Sequence, residues 1–383
     1  MMAESGKIEV RVVDTFNGFL SLKDEWDKLV KNSTYPFFYC SHGWFKIVLE
    51  DLENEKPDIC ILTAVSEDEI IGIAPLMKHG SRMYGISVNK IEFIRNVYSP
   101  SCNFIIKKGI SSSDSEDIIG EFLDFAINKT KNWDILEINS FPVENENYSF
   151  LKNSISGRRL IYTDIFHHGN HFLECNGLTA EEYTRSLSGV VLKNAPSKKM
   201  KRLIESGEIK CKHYINEDIK KHFAEYIKIY KKSWKPEETS IDFLKKLTDY
   251  SSSEAELCLS FVYMSNIPIA AQFWIIHDHI AYAQKVCFEE DCRYLSPGTW
   301  LTLEVIKYLM SNKNLIEIDF LKGDEPYKQY WMRSRRIRNI ITVYNRSSIK
   351  GFLFYIFKDK ILVWCKKRPV LYKIVKNGIK NRR

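Results

Sequence analysis

The segment from Asp319 to Trp331, DFLKGDEPYKQYW, combines residue types that perform acid–base chemistry with residue types that line clefts. It holds carboxylates, lysines and aromatic side chains, and it directly follows the strand-like run Asn314–Ile318. Proteins built from sheets and helices often place their functional sites in loops at strand ends. The sequence therefore predicts a functional site in this segment.

Two carboxylates lie at the start of this site. Side chains alternate between the two faces of a strand, so Glu317 and Asp319 share one face. Burying two carboxylates costs free energy unless they are paired or used, and Asp319, nearest the strand end, is a candidate general base. The pattern leaves open the alternative that both carboxylates pair with Lys or Arg on a neighbouring element.

The loop after Asp319 offers further reactive groups. An acid, a hydroxyl, an ammonium group and an aromatic wall are supplied by Asp324, Tyr327, Lys328 and Trp331. A tyrosine can protonate a leaving thiolate, which makes Tyr327 a candidate general acid. Together with Tyr330, the rings of Tyr327 and Trp331 are expected to wall a cleft.

A second candidate site lies at the start of a predicted helix. Small residues precede the apolar, helix-periodic run that begins at Trp300, and these are Ser296, Pro297, Gly298 and Thr299. Pro suits the first helical turn, and Ser or Thr suits the N-cap. Open backbone N–H groups at such a position attract a phosphate or pyrophosphate. An ordinary cap without a ligand is the alternative.

A metal site is not predicted. His277 and His279 fall in a predicted hairpin turn, and the spacing of Cys287 and Cys292 fits no zinc pattern. The sequence also has no G-x-S-x-G, P-loop or G-x-G-x-x-G motif. The phosphate-binding element would therefore be the helix start.

Charge is distributed unevenly along the chain. The net charge is +7, but residues 331–383 contain sixteen Lys or Arg and one acid, Asp359, which gives +15 there and −8 for the remainder. We expect residues 346–383 to form a basic, aromatic helical tail. It would either lie on anionic lipid or pack on the body of the protein with a frayed basic end.

Location in the cell is predicted from the cysteines and from the first residues. The nine cysteines are scattered, with no C-x-x-C, and the start of the sequence lacks the apolar core of a secretory signal. These features favour a cytoplasmic protein, free or peripheral at the inner face of the membrane.

The elements that would position the two sites occur twice. Gly72-Ile73-Ala74 aligns with Pro268-Ile269-Ala270, Tyr98 then aligns with Tyr294, and each copy continues into a helix and a strand. This repeat predicts two mixed α/β units. We expect domains at 1–168 and 169–345, followed by the tail. Asn139 stands where the second copy has Asp319, so the first domain is expected to be non-catalytic.

Three motifs carry a family resemblance. IAAQFWI (Ile269–Ile275), Y-x-S-P-G (Tyr294–Gly298) and IDFLKGDEPYKQYW (Ile318–Trp331) resemble the CelD/BcsL-like branch of the GNAT acyltransferase superfamily. The resemblance covers roughly residues 8–345 and implies two GNAT-type units in tandem, each with a mixed, mostly antiparallel sheet flanked by helices. It implies an acyl-CoA donor, with acetyl as the expected group, and an amine or hydroxyl acceptor on a sugar or glycan precursor, as in exopolysaccharide or surface-glycan synthesis.

The resemblance also suggests roles for individual residues. It maps the donor pyrophosphate onto the helix start at Ser296–Thr299 and the reactive loop onto residues 319–331. In the mechanism that follows, Gln272 orients the acceptor and Tyr282 or Tyr327 returns the proton, while the backbone of the strand from Pro268 to Ile276 holds the donor's arm.

One departure from the family keeps other readings open. The superfamily's Q/R-x-x-G-x-G/A loop is replaced here by RYLSPG, Arg293–Gly298. The alternatives are a carrier-protein donor, a Fem-like transferase that uses aminoacyl-tRNA, and a non-catalytic module that docks on a membrane glycan-synthesis complex. Nucleic acid is a partner only in the Fem-like case, and an anionic membrane surface is a partner only through the tail.

Overall fold

The computed structural model describes residues 8–83, 86–187, 189, 191, 196–236, 240–250 and 255–357. These residues form two units, the first made of residues up to 167 together with those from 337 onward, and the second made of residues 168–336. The expected domain boundary at residue 345 differs from this division. Residues 337–357 group with the first unit because the strand that contains residues 338–344 pairs with a strand of that unit.

The first unit is a mixed sheet flanked by helices. Its strands are β1 (Glu9–Val13), β2 (Asp58–Ser66), β3 (Glu69–Met83), β4 (Ile86–Phe93), β5 (Ile105–Ile106), β6 (Ile135–Pro142) and, late in the chain, β13 (Ser334–Tyr344). Its helices are α1 (Phe16–Ser21), α2 (Lys23–Lys31), α3 (His42–Asp51), α4 (Ser112–Asn128), α5 (Glu146–Gly157) and α12 (Ile349–Tyr355). The strand order is β1-β2-β3-β4-β6-β13, with β5 beside β3.

The second unit has the same kind of architecture. Its strands are β7 (Ile161–Glu174), β8 (Ile209–Ile215), β9 (Glu256–Met264), β10 (Ile267–His277), β11 (Ile280–Phe288) and β12 (Glu317–Lys322), in the order β7-β12-β11-β10-β9-β8. Its helices are α6 (Ala180–Ser186), α7 (Lys198–Glu205), α8 (Glu217–Lys231), α9 (Ile241–Asp249), α10 (Pro297–Asn312) and α11 (Lys328–Trp331). A mixed α/β fold is thereby confirmed.

The repeat predicted from the sequence is visible in the strand pairing. In each unit three antiparallel strands, β2-β3-β4 or β9-β10-β11, lead to a long helix, α4 or α10. The strand after the helix then pairs in parallel with the third strand, β6 with β4 and β12 with β11. The turn between β10 and β11 contains Asp278 and His279 at φ 44° and 63°, the conformation of a tight hairpin.

Helix α10 is the buried centre of the second unit. Its apolar residues Leu301, Val305, Ile306 and Leu309 are fully buried, and they belong to one core cluster with Trp274 of β10. Burying each aliphatic side chain stabilises the fold by about 1.5–3 kcal/mol. The helix start is therefore held firmly against the sheet.

The tail begins as a helix. Phe354 of α12 is buried in a cluster with Val88, Ile135 and Tyr344 of the first unit. The rest of the expected basic tail, residues 358–383, lies outside the described residues. Among the helices that the structure describes, each is too short or too polar to span a bilayer.

Candidate active site

The start of α10 is a helix N-terminus formed by Ser296, Pro297, Gly298 and Thr299. Ser296 at the N-cap has φ 55° and ψ 47°, and its side chain makes no capping hydrogen bond within the part of the chain that the structure describes. Pro297 has no N–H, and the N–H of Trp300 donates to the Ser296 carbonyl at 3.2 Å. The N–H groups of Gly298 and Thr299 have no acceptor within the helix, because the first turn of any helix lacks them. The four predicted residues thus form one helix terminus, the positive end of the helix dipole.

Gln272 on β10 fixes this helix terminus. Its Nε2 donates to Thr302 Oγ1 at 2.6 Å and lies 3.4 Å from the Gly298 carbonyl, and its Oε1 accepts from Trp274 Nε1 at 2.9 Å. Thr302 Oγ1 also donates to the Gly298 carbonyl at 2.8 Å. Gln272 is fully buried. These contacts favour a positioning role for Gln272, behind the helix start, over the expected contact with an acceptor.

Gly298 is required by a close neighbour. A Cβ added at this position would lie 2.9 Å from Cδ1 of Phe288, the last residue of β11. The absence of a side chain lets the end of β11 and the first turn of α10 approach each other. The helix start therefore lies beside the end of β11.

Strands β11 and β12 separate near this point. Their parallel pairing covers only Ile280–Tyr282 and Glu317–Asp319. Strand β11 continues to Phe288 and β12 continues to Lys322 without pairing to each other. We call the interval between these two strand segments, beyond the pair formed by Tyr282 and Asp319, the opening.

The strand pairing argues against β10 as the strand that would hold a donor's arm. Strand β10 was expected to hold it through its backbone, but β10 pairs along its length with β9 on one side and β11 on the other. Its backbone hydrogen bonds are therefore committed to the sheet. Beyond Tyr282, the side of β11 that faces β12 is not paired with that strand.

A β-bulge lies on this part of β11. Phe273 pairs with Lys285 and Trp274 pairs with Ala283, so Gln284 is an extra residue on β11. A bulge bends its strand and redirects the backbone groups around it. The redirected backbone borders the opening between β11 and β12.

Asp319 is fully buried and strongly hydrogen-bonded. Its Oδ1 accepts from Asn170 Nδ2 at 2.5 Å and from the Leu321 N–H at 2.6 Å, and its Oδ2 accepts from Arg336 Nη2 at 2.8 Å. A carboxylate has about four acceptor positions, and these donors use three of them. Asp319 therefore pairs with an arginine, as one of the two alternatives raised by the sequence predicts. Among the described residues, one of its roughly four acceptor positions is not used.

Arg336 organises the carboxylates of this strand. It forms ion pairs with Glu317 and with Asp319, donates from Nε to Asn170 Oδ1 at 2.8 Å, and lies 4.1 Å over the ring of Phe172. Neither Asn170 nor Arg336 was identified from the sequence. The signals were the run HHGNH, residues 167–171, and the run RSRR, residues 333–336.

A second charged cluster holds the loop after β12. Asp324 accepts from Arg335 at 2.8 Å (Nε) and 2.5 Å (Nη2), and His171 Nε2 lies 3.0 Å from its Oδ1. The Arg335 hydrogen bonds lower the pKa of Asp324 well below its usual range, although partial burial opposes them. Asp324 is thus a stable anion that orients His171, a pair that the sequence analysis missed.

Lys328 stabilises the same loop through buried hydrogen bonds. Its Nζ donates to the carbonyls of Phe320 and Lys322 at 2.9 and 2.8 Å, and it lies 3.2 Å from Glu325 Oε2. Only 4% of Lys328 is exposed. Burial lowers the pKa of Lys328, while the carboxylate of Glu325 acts in the opposite direction.

The aromatic residues of the loop differ in their environment. Trp331 was expected in a cleft wall but is buried in the core cluster, and its carbonyl accepts from Tyr183 Oη at 3.1 Å. Tyr327 and Tyr330 are 50% and 40% exposed. Protein atoms around the Tyr327 hydroxyl raise its pKa to about 12, with a smaller contribution from Glu325. Tyr327 therefore keeps its proton at neutral pH even though half of its side chain meets solvent.

The predicted site residues fall on two faces of the sheet. Tyr282 and Asp319 are register partners and share one face. Gln272 lies on the opposite face with Trp274, toward α10, because Ile275 is the register partner of Tyr282. Trp331 packs in the same cluster as Trp274. The structure thus joins Tyr282 with Asp319, and Gln272 with the helix start.

The residues considered for a metal site lie apart from these groups. His277 ends β10, and His279 Nδ1 lies 2.8 Å from the Asn314 carbonyl. Cys287 and Cys292 are buried free thiols. Within the described residues, no group of three or more His, Cys, Asp or Glu is arranged to hold a metal ion.

The Asp324 cluster predicts a pH dependence. Because its folded-state pKa is lowered, Asp324 adds stability that is complete above the unfolded-state pKa of about 4 and is lost as the pH falls through the lower folded-state value. Asp324→Asn should therefore destabilise the protein at pH 7 but progressively less below about pH 4. Denaturant unfolding of both proteins between pH 7 and pH 2 measures this. A constant difference across that range would contradict it.

One protein-family model matches part of the chain. Residues 194–329 match the family model described as Acetyltransferase (GNAT) domain. Comparison with curated protein sequences gave no match. The specific CelD/BcsL-like branch therefore remains a prediction.

Solved structures share the fold over most of the chain. FemX is 12% identical with a TM-score of 0.59, and the match covers 91% of this chain and 98% of FemX. A tandem GNAT protein from the clavulanic acid biosynthesis pathway is 9% identical with a TM-score of 0.50, covering 89% and 100%. The C-terminal domain of a putative lysylphosphatidylglycerol synthetase from Agrobacterium fabrum is 8% identical, also with a TM-score of 0.50, covering 88% and 97%. At these identities the likeness shows the fold alone. The chain thus has a fold similar to tandem GNAT proteins, and its second unit contains the segment that matches the GNAT acetyltransferase domain.

Proposed function

We propose that this protein is an acyltransferase of the GNAT type whose active site lies in the second unit. The observation that carries the proposal is the opening between β11 and β12, which begins at Tyr282 and Asp319 and has the start of α10 beside the end of β11. An extended arm can lie along a strand edge, and its anionic end can meet the N–H groups of a helix start. An acyl-CoA has this combination of parts. The family match of residues 194–329 supports the same donor.

The proposed reaction is a direct attack on the donor thioester. The acceptor nitrogen or oxygen bonds to the carbonyl carbon while Asp319, through its remaining acceptor position, takes the acceptor proton. The negative charge on the carbonyl oxygen is stabilised by backbone N–H groups at the β11 bulge. The C–S bond then breaks, and Tyr282 or Tyr327 donates a proton to the thiolate sulfur.

We further propose that the acceptor is an amine or hydroxyl of a sugar or glycan precursor. The exposed parts of the loop after β12 fit a hydroxyl-rich ligand, because Glu325 supplies an exposed carboxylate and Tyr327 and Tyr330 supply half-exposed rings. Aromatic rings and carboxylates are the usual partners of the apolar and hydroxyl faces of sugars. The family resemblance points to the same class of acceptor.

The first unit is proposed to be non-catalytic. Its equivalent strand pair, β4 with β6, carries a buried ion network in which Lys90 Nζ contacts Glu92 and Glu137, both at 2.8 Å. Asn139 stands in the place of Asp319 and accepts from Ser140 Oγ at 3.1 Å. An amide cannot act as a general base, and the carboxylate at the last parallel register pair of this unit, Glu137, is held in the ion pair with Lys90.

Donor binding tests the proposal directly. Acetyl-CoA titrated into the full chain in a calorimeter should bind one to one, with a dissociation constant between about 1 μM and 1 mM, the range of typical Michaelis constants. Acetyl transfer to a panel of amino sugars would follow. A folded chain that binds no acetyl-CoA would overturn the acyl-CoA proposal.

A second candidate is a Fem-like transferase that takes its acyl group from aminoacyl-tRNA. The observation that favours it is the basic face of α7, with Lys198, Lys199, Lys201 and Arg202 exposed. Ser197 Oγ donates to the Leu295 carbonyl at 3.3 Å, so this basic helix begins next to the start of α10. RNA binding would lose affinity steeply with salt, with a log–log slope that grows with each phosphate contacted. Steep salt dependence for tRNA, with no binding of acetyl-CoA, would select this candidate.

A further inference from the structure

An exposed aromatic pair lies beside the proposed donor site. The indole of Trp234, which follows α8, is 47% exposed. It contacts the ring of Phe288, with 4.3 Å between the ring centroids and 40° between the ring planes. A large exposed indole held in place by a second ring offers its own flat face to another planar group.

This pair is held at a fixed place relative to the start of α10. Lys232 Nζ lies 2.9 Å from Glu289 Oε1, and the N–H of Glu290 donates to the Lys232 carbonyl at 3.2 Å. These bonds join the segment after α8 to the segment after β11. Phe288 also packs directly against Gly298, where an added Cβ would be 2.9 Å from its ring. One phenyl ring therefore separates the indole from the helix start.

Charged groups of both signs border the same surface, because the carboxylates of Glu289 and Glu290 accompany the cations there. The Arg293 guanidinium lies 6.0 Å from the Trp234 centroid and 5.8 Å from the Phe288 centroid, and Glu290 fixes it through bonds of 2.7 and 2.9 Å. Lys199 Nζ lies 4.4 Å over the ring of Tyr294, which is 57% exposed. Lys235 Nζ is 5.9 Å from the indole centroid. An anionic, aromatic ligand complements rings bordered by cations.

We propose that Trp234 and Phe288 form a stacking platform for the adenine base of the donor, with Lys199 and Arg293 facing the phosphate on its ribose. This inference rests on the proposed function, because it assigns the nucleotide end of the same donor whose pyrophosphate meets the start of α10. Stacking tolerates any base orientation that keeps the rings parallel, and only a planar surface is needed. The platform would make the nucleotide, besides the acyl arm, a determinant of donor affinity.

Three ligands and three proteins test the platform. The ligands are acetyl-CoA, acetyl-phosphopantetheine, which lacks the nucleotide, and adenosine 3′,5′-bisphosphate, which lacks the arm. The proteins are the wild type, Trp234→Ala, and Trp234→Phe as the matched variant that keeps an aromatic ring. Calorimetry on the full chain gives each dissociation constant.

The expected result is specific to the nucleotide. Trp234→Ala should weaken acetyl-CoA and the bisphosphate about 5- to 150-fold, the equivalent of one lost stacking contact. Acetyl-phosphopantetheine should bind both proteins equally, and Trp234→Phe should restore most of the nucleotide affinity. Because the indole is half exposed, thermal unfolding should change little.

The outcomes separate this inference from the proposed function. Equal acetyl-CoA affinity in wild type and Trp234→Ala would overturn the platform while leaving an acyl-CoA donor in place. In a second outcome, the bisphosphate binds in a way that depends on Trp234 while acetyl-phosphopantetheine does not bind. That result would support the platform and would contradict a binding site for the acyl arm. Tight binding of an RNA that ends in adenosine, with none of the free bisphosphate, would overturn a small nucleotide donor as the occupant.

Discussion

Replacing Asp319 with Asn is expected to lower the turnover number for acyl transfer by about 10²–10⁴-fold, the usual contribution of a general base. The carboxylate is fully buried at the last register pair before the opening between β11 and β12. An amide has the same shape but cannot take a proton from the acceptor. Affinity for acetyl-CoA should stay within a few-fold, because the proposed pyrophosphate site lies at the start of α10 and not at Asp319. Steady-state kinetics together with calorimetry measures both quantities.

Stability must be separated from chemistry in this variant. The introduced amide has one N–H₂ group, and this group would face either Arg336 or the Leu321 N–H, both of which now donate to the Asp319 carboxylate. Two donors that face each other should lower the free energy of unfolding by about 1–3 kcal/mol. Glu317→Gln is the matched control, since Glu317 pairs with the same Arg336 but precedes the opening by two residues. We expect it to cost similar stability and far less activity. Near wild-type turnover by folded Asp319→Asn would remove Asp319 from the role of base.

Replacing Gly298 with Glu is expected to weaken acetyl-CoA binding by at least about 100-fold. The new carboxylate would lie at the N–H groups of the first turn of α10, where it would satisfy them in place of the donor pyrophosphate and repel its charge. Loss of two or more charge-assisted hydrogen bonds is sufficient for a change of this size. Titration of acetyl-CoA into both proteins under the same salt conditions measures it.

The control for this variant is Gly298→Ala. Its Cβ makes the same close approach to the Phe288 ring, 2.9 Å before relaxation, without adding charge. The Phe288 ring must shift to admit this Cβ in both variants, so the loss of affinity in Gly298→Ala measures the steric contribution alone, and we expect Gly298→Glu to lose clearly more. If Ala and Glu were equally damaging, the effect would be steric, and an anion site at the helix start would not be supported.

Helices and turns were easier to predict from the sequence than the side-chain pairs that meet between them. The hairpin at His277–His279, the helix after Ser296 and its Pro297 start follow from local signals, namely apolar periodicity and turn or cap residues. The repeat was visible because the same order of elements recurs. Such features depend on residues within a few positions of one another, and a single sequence contains that information.

Hydrogen-bond partners far apart in the chain could not be predicted. Asp319 meets Asn170 across 149 residues, and Gln272 meets Thr302 across 30. Which side chains meet depends on strand register, which is set by the packing of the whole sheet. Trp331 shows the same limit, because an aromatic residue in a loop suits a cleft wall and a core equally well until its neighbours are known.

The environment of Lys328 bears on whether the proposed thioester donor would acylate the protein itself. Thioesters acylate neutral amines, and burial lowers the pKa of Lys328, which increases its neutral fraction. The residue, however, is almost fully covered, and the hydrogens of its ammonium group are directed to two carbonyls and a carboxylate. The amine of Lys328 is thereby shielded, so stray acylation would fall on exposed lysines, such as Lys322 or those of α7.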